Sequence, residues 1–306
     1  MNGQTKPTAI GEFQSDLSNC WQRLPNKSFF FVMLAAWLVL FHFFGNSTFG
    51  YSHSSSLFGW MLLAYKSSNP SFDDAQGNLI PFLVIALFWW KRRELLELPL
   101  KIWPPALLFV GLGLVLHIVG YLIQEPRVSI IALFTGIYGL MGLAWGRAWL
   151  RHSFFPFFLF IFSVPFSTIA ESITFPLRLL VSTLTEWVAH YILGIDVLRM
   201  GTQLFDPLGT YQYDVVAACS GIHSLVAIFL LATVYSFMTF RSPWKRLLLM
   251  ALAFPFSVLG NLVRMLFIII AAEMGGQRWG NYVHESTLIS LVPYVPAIIG
   301  LLLVGR

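Results

Sequence analysis

Hydrophobic positions in this chain gather into long runs with few charged residues, instead of alternating with polar ones. Several runs approach the roughly 20 residues that a helix needs to cross the hydrocarbon core of a bilayer. Seven runs predict membrane-spanning helices: Phe29–Gly45, Pro104–Ile123, Ser129–Gly146, Phe154–Ala170, Gly221–Phe240, Leu247–Ala272 and Ser286–Val304. An eighth run, Asn78–Trp90, is shorter and predicts either a crossing helix or a re-entrant element.

Basic residues between the runs predict the orientation of the chain, because loops rich in Lys and Arg stay in the cytoplasm. If Asn78–Trp90 crosses, most of the 19 basic residues fall on one side of the membrane. These are Lys6, Arg23, Lys27, Lys91, Arg92, Arg93, Lys101, Arg147, Arg151, Arg241, Lys245, Arg246 and Arg306. The pattern predicts a cytoplasmic tail of residues 1–28 and one transmembrane domain of residues 29–306, with about eight spanning helices and both termini in the cytoplasm.

The segment Glu171–Asp214 departs from this pattern. Polar residues in its first half recur every three or four positions, which is the period of an amphipathic helix. They are Glu171, Thr174, Arg178, Ser182 and Thr185. Such a helix would lie in the outer membrane interface or form the wall of an outer-facing cavity. The second half, Gly194–Asp214, mixes Gly, Asp and Pro with Val and Tyr, so it predicts a loop or short hairpin at the outer surface.

Composition supports a membrane protein. Apolar residues make up 57% of the chain and charged residues 11%, whereas soluble proteins carry about 25% charged residues. The net charge of +5 is spread over many loops, which argues against a nucleic-acid-binding surface. We therefore expect an all-α membrane protein that has the lipid bilayer, and no nucleic acid, as a partner.

Three polar residues are predicted at the same outer level on the last three spans. Cys219 lies in an Ala-Ala-Cys-Ser-Gly stretch where the sixth span begins, Arg264 lies near the end of the seventh, and His284 precedes the eighth. A helix N-terminus and a nearby cation lower the pKa of a thiol and favour the nucleophilic thiolate. An imidazole can carry protons near neutral pH, and a guanidinium can stabilise an oxyanion. Together the three suit acyl transfer.

Each residue also has a structural interpretation. A lone Cys or His near a helix end is more often a packing or capping residue. Arg264, within an apolar run, could extend to the interface or pair with Glu273 or Glu171. Asn261 precedes Arg264 by one helical turn, so the two are expected to face the inside of the helix bundle.

His223 lies four residues after Cys219 and is a rival general base. Cys219 and His223 would supply only two zinc ligands, so we expect no metal and no cofactor. The second cysteine, Cys20, falls on the opposite side of the membrane in the predicted topology, which excludes a disulfide within the chain. Cys219 is therefore expected to be a free thiol.

The stretch Val215–Ile222, followed by Asn261-Leu262-Val263-Arg264 and then by His284, resembles the exosortase/archaeosortase family. The resemblance covers about Phe154–Arg306. It implies a membrane-embedded cysteine transpeptidase with Cys219, Arg264 and His284 as catalytic residues. Asn261, Ser220, Gly221 and His223 would support them. His223 departs from the family pattern, because many members have Arg there, and this leaves the substrate motif open.

The resemblance further implies membrane-anchored substrate proteins with a C-terminal sorting signal. Such a signal has a short motif, often Pro-Glu-Pro, then a hydrophobic span and a basic tail. The enzyme would cleave it on the extracytoplasmic side and transfer the protein to an acceptor nucleophile in the envelope or at the surface. The family's distribution favours a bacterial inner membrane over an archaeal membrane.

Two other functions fit the same residues. An intramembrane cysteine protease would use water in place of the acceptor. A transporter would use Arg264 to bind an anion, although transporters often contain internal repeats and none is visible in this sequence.

Overall fold

The computed structural model of the protein describes residues 9–48, 54–66, 74–214, 222–286 and 292–304. In these ranges the chain is mainly helical, with one three-stranded sheet. Contacts divide the chain into two compact units. The first is Met1–Tyr65 with Gly77–Val164, and the second is Lys66–Gln76 with Pro165–Arg306.

The described part of the first unit contains eight α-helices, not all of which lie in predicted apolar runs. They are α1 Ala9–Arg23, α2 Lys27–Phe44, α3 Leu57–Tyr65, α4 Ile80–Trp90, α5 Arg92–Leu96, α6 Leu107–Leu122, α7 Pro126–Trp145 and α8 Arg147–Phe158. Short 3-10 turns lie at Ala75–Asn78, Pro104–Ala106 and Leu159–Ser163. Most of α7 is buried, so this helix forms the centre of the first unit.

A glycine allows α2 to pack closely against α7. The indole Nε1 of Trp37 donates a hydrogen bond to the carbonyl of Leu133 over 3.0 Å. A Cβ atom on Gly136 would lie 2.0 Å from the Trp37 ring. Only glycine leaves room for the indole at this position, and such close helix contacts are typical of membrane bundles, where apolar surface alone does not drive helices together.

Helix α1 shows that part of the predicted polar tail is folded. The Asp16 carboxylate binds the guanidinium of Arg92, and the Phe13 ring lies 4.7 Å from the Trp89 ring. The hydrogen bond from Arg92 lowers the pKa of Asp16 below its ordinary value. The thiol of Cys20 is free in this helix.

Four helices in the described ranges are long and apolar enough to cross a membrane. They are Lys27–Phe44, Pro104–Leu122, Pro126–Trp145 and Pro243–Glu285, and all four overlap predicted runs. Gln76–Trp90 and Leu225–Thr239 are shorter apolar helices. The helical membrane fold is thus confirmed, while the number of crossings and the cytoplasmic location of the termini stay predictions.

The predicted span Phe154–Ala170 is wrong. Helix α8 begins earlier, at Arg147, and the following 3-10 turn ends at Ser163. Val164 is extended, with φ −77° and ψ 124°, and a new helix starts at Ser167. The cause is Pro165, since the ring of a proline disfavours helical geometry at the preceding residue.

The described part of the second unit contains four α-helices and the three strands of the sheet. They are α9 Ser167–Val188, β1 Leu198–Met200, β2 Gln203–Phe205, β3 Gln212–Asp214, α10 Ile222–Thr239, α11 Pro243–Glu285 and α12 Val295–Val304. A π-helical turn, Ala189–Leu193, extends α9, and a 3-10 turn, Val292–Tyr294, precedes α12. The strands pair antiparallel in the order β1-β2-β3, which confirms a hairpin and adds a third strand.

The predicted span Ser286–Val304 is described at Ser286 and from residue 292 onward. Ser286 has ψ 114°, outside the helical range, a 3-10 turn occupies Val292–Tyr294, and α12 starts at Val295. Pro293 and Pro296 lie near the start of α12, where proline is tolerated because the first amide groups of a helix need no partner within it. The described helix has 10 residues, fewer than a full crossing needs.

The amphipathic helix predicted after Glu171 is present as α9, and its polar face points inward. Ser182 and Thr185 are fully buried, whereas Phe175 and Trp187 are about half exposed. A helix lying flat in the membrane interface would keep its polar face in water. The burial of this face favours the alternative in which α9 is a wall of the second unit.

Candidate active site

A backbone break in α11 brings two of the predicted site residues together. Gly275 and Gly276 leave helical geometry, and Gly276 has φ 68° and ψ −173°. Nη2 of Arg264 donates to the carbonyl oxygen of His284 over 3.4 Å, across 20 residues of sequence. In an unbroken helix those residues would be about 30 Å apart. The segment after Gly276 therefore folds back along the segment that carries Arg264.

Arg264 is half-buried and has no carboxylate partner among the described side chains. Its Nε is buried and has no hydrogen-bond partner there. Glu273, a predicted alternative partner, accepts instead from the Tyr211 hydroxyl over 3.4 Å. The side chain of Glu171, the other alternative, lies outside the described part of the chain. The guanidinium thus keeps donor capacity for a group that the described residues do not supply.

His284 is half-buried and lies in the last turn of α11, two residues before the start of the predicted eighth span. Helix α11 continues to Glu285, and Ser286 then becomes extended. The imidazole stacks on the ring of Tyr213, with ring centroids 6.4 Å apart and planes 25° from parallel. The helix end and the aromatic ring together fix the position of His284.

The sheet is attached to the folded-back segment by hydrogen bonds at Gln277. The Tyr213 hydroxyl donates to the Gln277 carbonyl over 3.2 Å, and the Gln212 amide donates to Oε1 of Gln277 over 2.8 Å. Nε2 of Gln277 also donates to Oδ1 of Asn281 over 3.0 Å. Burial raises the pKa of Tyr213, so its hydroxyl stays protonated at neutral pH and donates. Strand β3 therefore packs against the segment that carries His284 and holds the Tyr213 ring beside the imidazole.

Asn261 is buried, as predicted, and has a structural partner. Its Oδ1 accepts a hydrogen bond from the Tyr294 hydroxyl over 3.0 Å. A Cβ atom on Gly260 would lie 2.6 Å from the Tyr294 ring, so this tyrosine packs directly on the helix backbone. Asn261 therefore holds the turn before α12 against α11, one helical turn from Arg264.

Cys219, Ser220 and Gly221 of the predicted site lie outside the described residues. His223 belongs to the first turn of α10, and its side chain is also outside the described set. In the sequence, Cys219 precedes Ile222, the first residue of α10, by three positions.

Helices α10 and α11 form an antiparallel pair. Thr239 ends α10 and Pro243 begins α11, and Ile228 of α10 shares a core cluster with Ala253 of α11. At about 1.5 Å per residue, the first turn of α10 and Arg264 lie roughly 26 and 32 Å from the connection. The start of α10 is therefore within about one or two turns of the level of Arg264.

Sequence reasoning missed Gly276, Tyr213, Gln277 and Tyr294. The Gly275-Gly276 pair is a recognisable breaker signal inside a helical pattern. The contacts of the other three residues depend on how the sheet and the turn before α12 pack against α11, and no local sequence pattern predicts these contacts. Among the described residues, no three His, Cys, Asp or Glu side chains group as metal ligands.

Comparison with known proteins assigns the family. The family model of the transmembrane exosortases matches residues 67–301. No curated protein and no solved structure gave a match. The match begins well before Phe154, so the extent inferred from the motifs was too short, and it includes both the described site residues and Cys219. This chain belongs to the transmembrane exosortase family of membrane sorting enzymes.

Proposed function

We propose that the protein is a cysteine-dependent sorting transpeptidase. It cleaves the C-terminal sorting signal of membrane-anchored proteins on the extracytoplasmic side and transfers them to an envelope or surface acceptor. The observation that carries the proposal is the hydrogen bond from the Arg264 guanidinium to the backbone carbonyl of His284. It brings these two residues together although they lie 20 positions apart in the sequence. The helix that packs beside them begins three residues after Cys219.

In the proposed first step, the imidazole of His284 takes the proton of the Cys219 thiol. The thiolate attacks the carbonyl carbon of the scissile peptide, and the carbonyl π electrons move onto oxygen. Arg264 then donates to this oxyanion, a role supported by its buried Nε, which has no hydrogen-bond partner among the described residues. When the tetrahedral intermediate collapses, the C–N bond breaks and the imidazolium protonates the leaving amine. The products are a thioester on Cys219 and the released membrane tail.

In the second step, an acceptor nucleophile attacks the thioester carbonyl, gives its proton to the imidazole and frees the thiol. Water in the acceptor's place would turn the same residues into a protease. His223, in the first turn of α10, is the alternative base. Ser220 and Gly221 follow the nucleophile in the sequence, and Asn261 holds the turn before α12 by its hydrogen bond with Tyr294.

Deleting the gene from its host tests the function. Proteins with the three-part C-terminal signal are expected to keep their basic tails in the deletion strain and to lose them when the full-length chain is restored. Mass spectrometry of the new C terminus then separates two reactions, since transfer adds the acceptor's mass and hydrolysis leaves a free carboxylate. Equal removal of the tails with and without the chain would contradict the proposal.

The break in α11 is expected to be needed for activity. Gly276→Ala forces a side chain into a backbone region that is essentially restricted to glycine, with a strain of about 1–3 kcal/mol. No atom lies within 4 Å of the added Cβ, so the effect is conformational and not steric. Relief of the strain moves His284 away from Arg264, and tail removal is expected to slow by about 10-fold or more.

Gly111→Ala is the matched control, because a Cβ at this helical position in α6 also meets no atom within 4 Å. It is expected to leave tail removal unchanged and the melting temperature equal or slightly higher. Wild-type activity in Gly276→Ala would show that the break does not serve the site.

A further inference from the structure

A second arginine of the second unit is buried with no counter-charge among the described side chains. Arg178 in α9 is only 9% exposed. Its Nε and Nη2 atoms are buried and have no hydrogen-bond partner among the described residues. Two other arginines of this unit have partners: Arg199 binds the Glu186 carboxylate over 2.8 Å, and Arg246 donates to the Phe240 carbonyl over 2.7 Å. Arg178 therefore differs from arginines that serve surface pairing.

Arg178 belongs to the face of α9 that packs inside the second unit. Val181, Ser182 and Thr185 follow at helical spacing and are buried. Val181 shares a core cluster with Met265, the residue after Arg264. The Ser182 hydroxyl contacts the Gly201 carbonyl oxygen, at the turn between β1 and β2, over 3.2 Å. This face thus contacts the same helix and sheet that position Arg264 and His284.

The unpartnered atoms identify the kind of group that is missing. A guanidinium does not lose its charge in proteins, and burying it without an anion is strongly unfavourable. Nε and Nη2 form one edge of the guanidinium plane, and their parallel N–H bonds match the two oxygens of a carboxylate. A carboxylate that enters with a bound molecule would satisfy both atoms at once.

We propose that Arg178 binds a carboxylate side chain in the sorting signal of the substrate. The inference rests on the proposed function and deepens it, because it assigns substrate recognition to a residue of α9 outside the Cys219, Arg264 and His284 group. Arg178 has no part in the bond changes. It holds an acidic residue of the signal while the scissile peptide lies at the thiol.

A two-by-two experiment tests this pairing. The full-length protein and Arg178→Gln are each given a membrane-anchored reporter whose motif is Pro-Glu-Pro, and the same reporter with Pro-Gln-Pro. Loss of a charge-assisted bidentate contact is expected to slow tail removal by about 10- to 100-fold. Each single change is expected to cause this loss, and the two together are expected to cause no further loss. If the rate losses caused by Arg178→Gln and by the Pro-Gln-Pro reporter multiply when the two are combined, the assignment is overturned. This outcome is expected, for example, if Arg178 binds a carboxylate of its own chain.

Two further variants make the test specific. Arg199→Gln removes a guanidinium from the same unit and is expected to keep the full preference for the glutamate reporter. Arg178→Lys keeps a buried charge but loses the planar edge, so it is expected to retain a reduced preference even if Arg178→Gln does not fold. An undiminished preference in Arg178→Lys would overturn the assignment of the bidentate contact. If no reporter loses its tail in a Cys219-dependent way, the proposed function itself fails, which is a different result.

Discussion

Replacing Cys219 by alanine is expected to lower the rate of tail removal by at least about 10⁴-fold. The thiol is the only atom in the proposed mechanism that bonds to the substrate, and alanine offers no nucleophile in its place. The signal-bearing proteins of the host should therefore accumulate with their basic tails attached, as in the deletion strain. Quantitative immunoblotting of the precursor and the processed form measures the effect.

Cys20→Ala is the matched control for this change. It removes the other cysteine, a free thiol in α1 of the first unit, and is expected to leave tail removal at the wild-type rate. Full processing by Cys219→Ala would exclude a thioester mechanism. Arg264 and His284 would then have a binding or structural role and no catalytic one.

Replacing Arg264 by alanine is expected to slow tail removal by about 10²- to 10³-fold, or roughly 2.7–4 kcal/mol of transition-state stabilisation. The loss has two causes. The donors for the oxyanion disappear, and the hydrogen bond of Nη2 to the His284 carbonyl is broken. Because the guanidinium stabilises the transition state more than the bound substrate, the decrease should appear in kcat more than in KM.

Arg246→Ala is the control for Arg264→Ala, because it removes an arginine near the opposite end of the same helix, where the side chain binds the Phe240 carbonyl. Its activity is expected to stay near the wild-type level. Arg264→Lys keeps the charge without the planar donors and is expected to recover only part of the lost rate. A wild-type kcat in Arg264→Ala would show that Arg264 does not stabilise the oxyanion.

The long apolar helices could be predicted because their signal is local. Runs such as Pro104–Ile123 contain enough consecutive apolar residues to specify a helix without reference to the rest of the chain. The predicted span Phe154–Ala170 is wrong because it rests on the average hydrophobicity of many residues. Such an average does not register the single residue, Pro165, that interrupts the helix. The same limit applies to the proline-containing start of α12.

For the candidate site, the residue types could be predicted from the sequence but the geometry could not. Arg264 was identified by the cost of a charge within an apolar run, and the structure shows that Arg264 contacts the backbone of His284. That contact depends on the positive φ of Gly276, a conformation that the sequence suggests only as a possible helix break. The role proposed for Arg178 depends on tertiary burial, because the same polar stripe is compatible with a helix lying at the membrane surface.

In the proposed mechanism, Cys219 carries the substrate as a thioester. Mass spectrometry of the purified full-length protein in detergent, after incubation with peptides that bear candidate sorting motifs, tests this step. An adduct is expected on Cys219 that carries the acyl group of the N-terminal portion of the cleaved peptide, and it is expected to be absent from Cys219→Ala and much slower to form in Arg264→Ala and His284→Ala. Cleavage of the peptide at an equal rate by wild type and Cys219→Ala, without an adduct on Cys219, would contradict this mechanism.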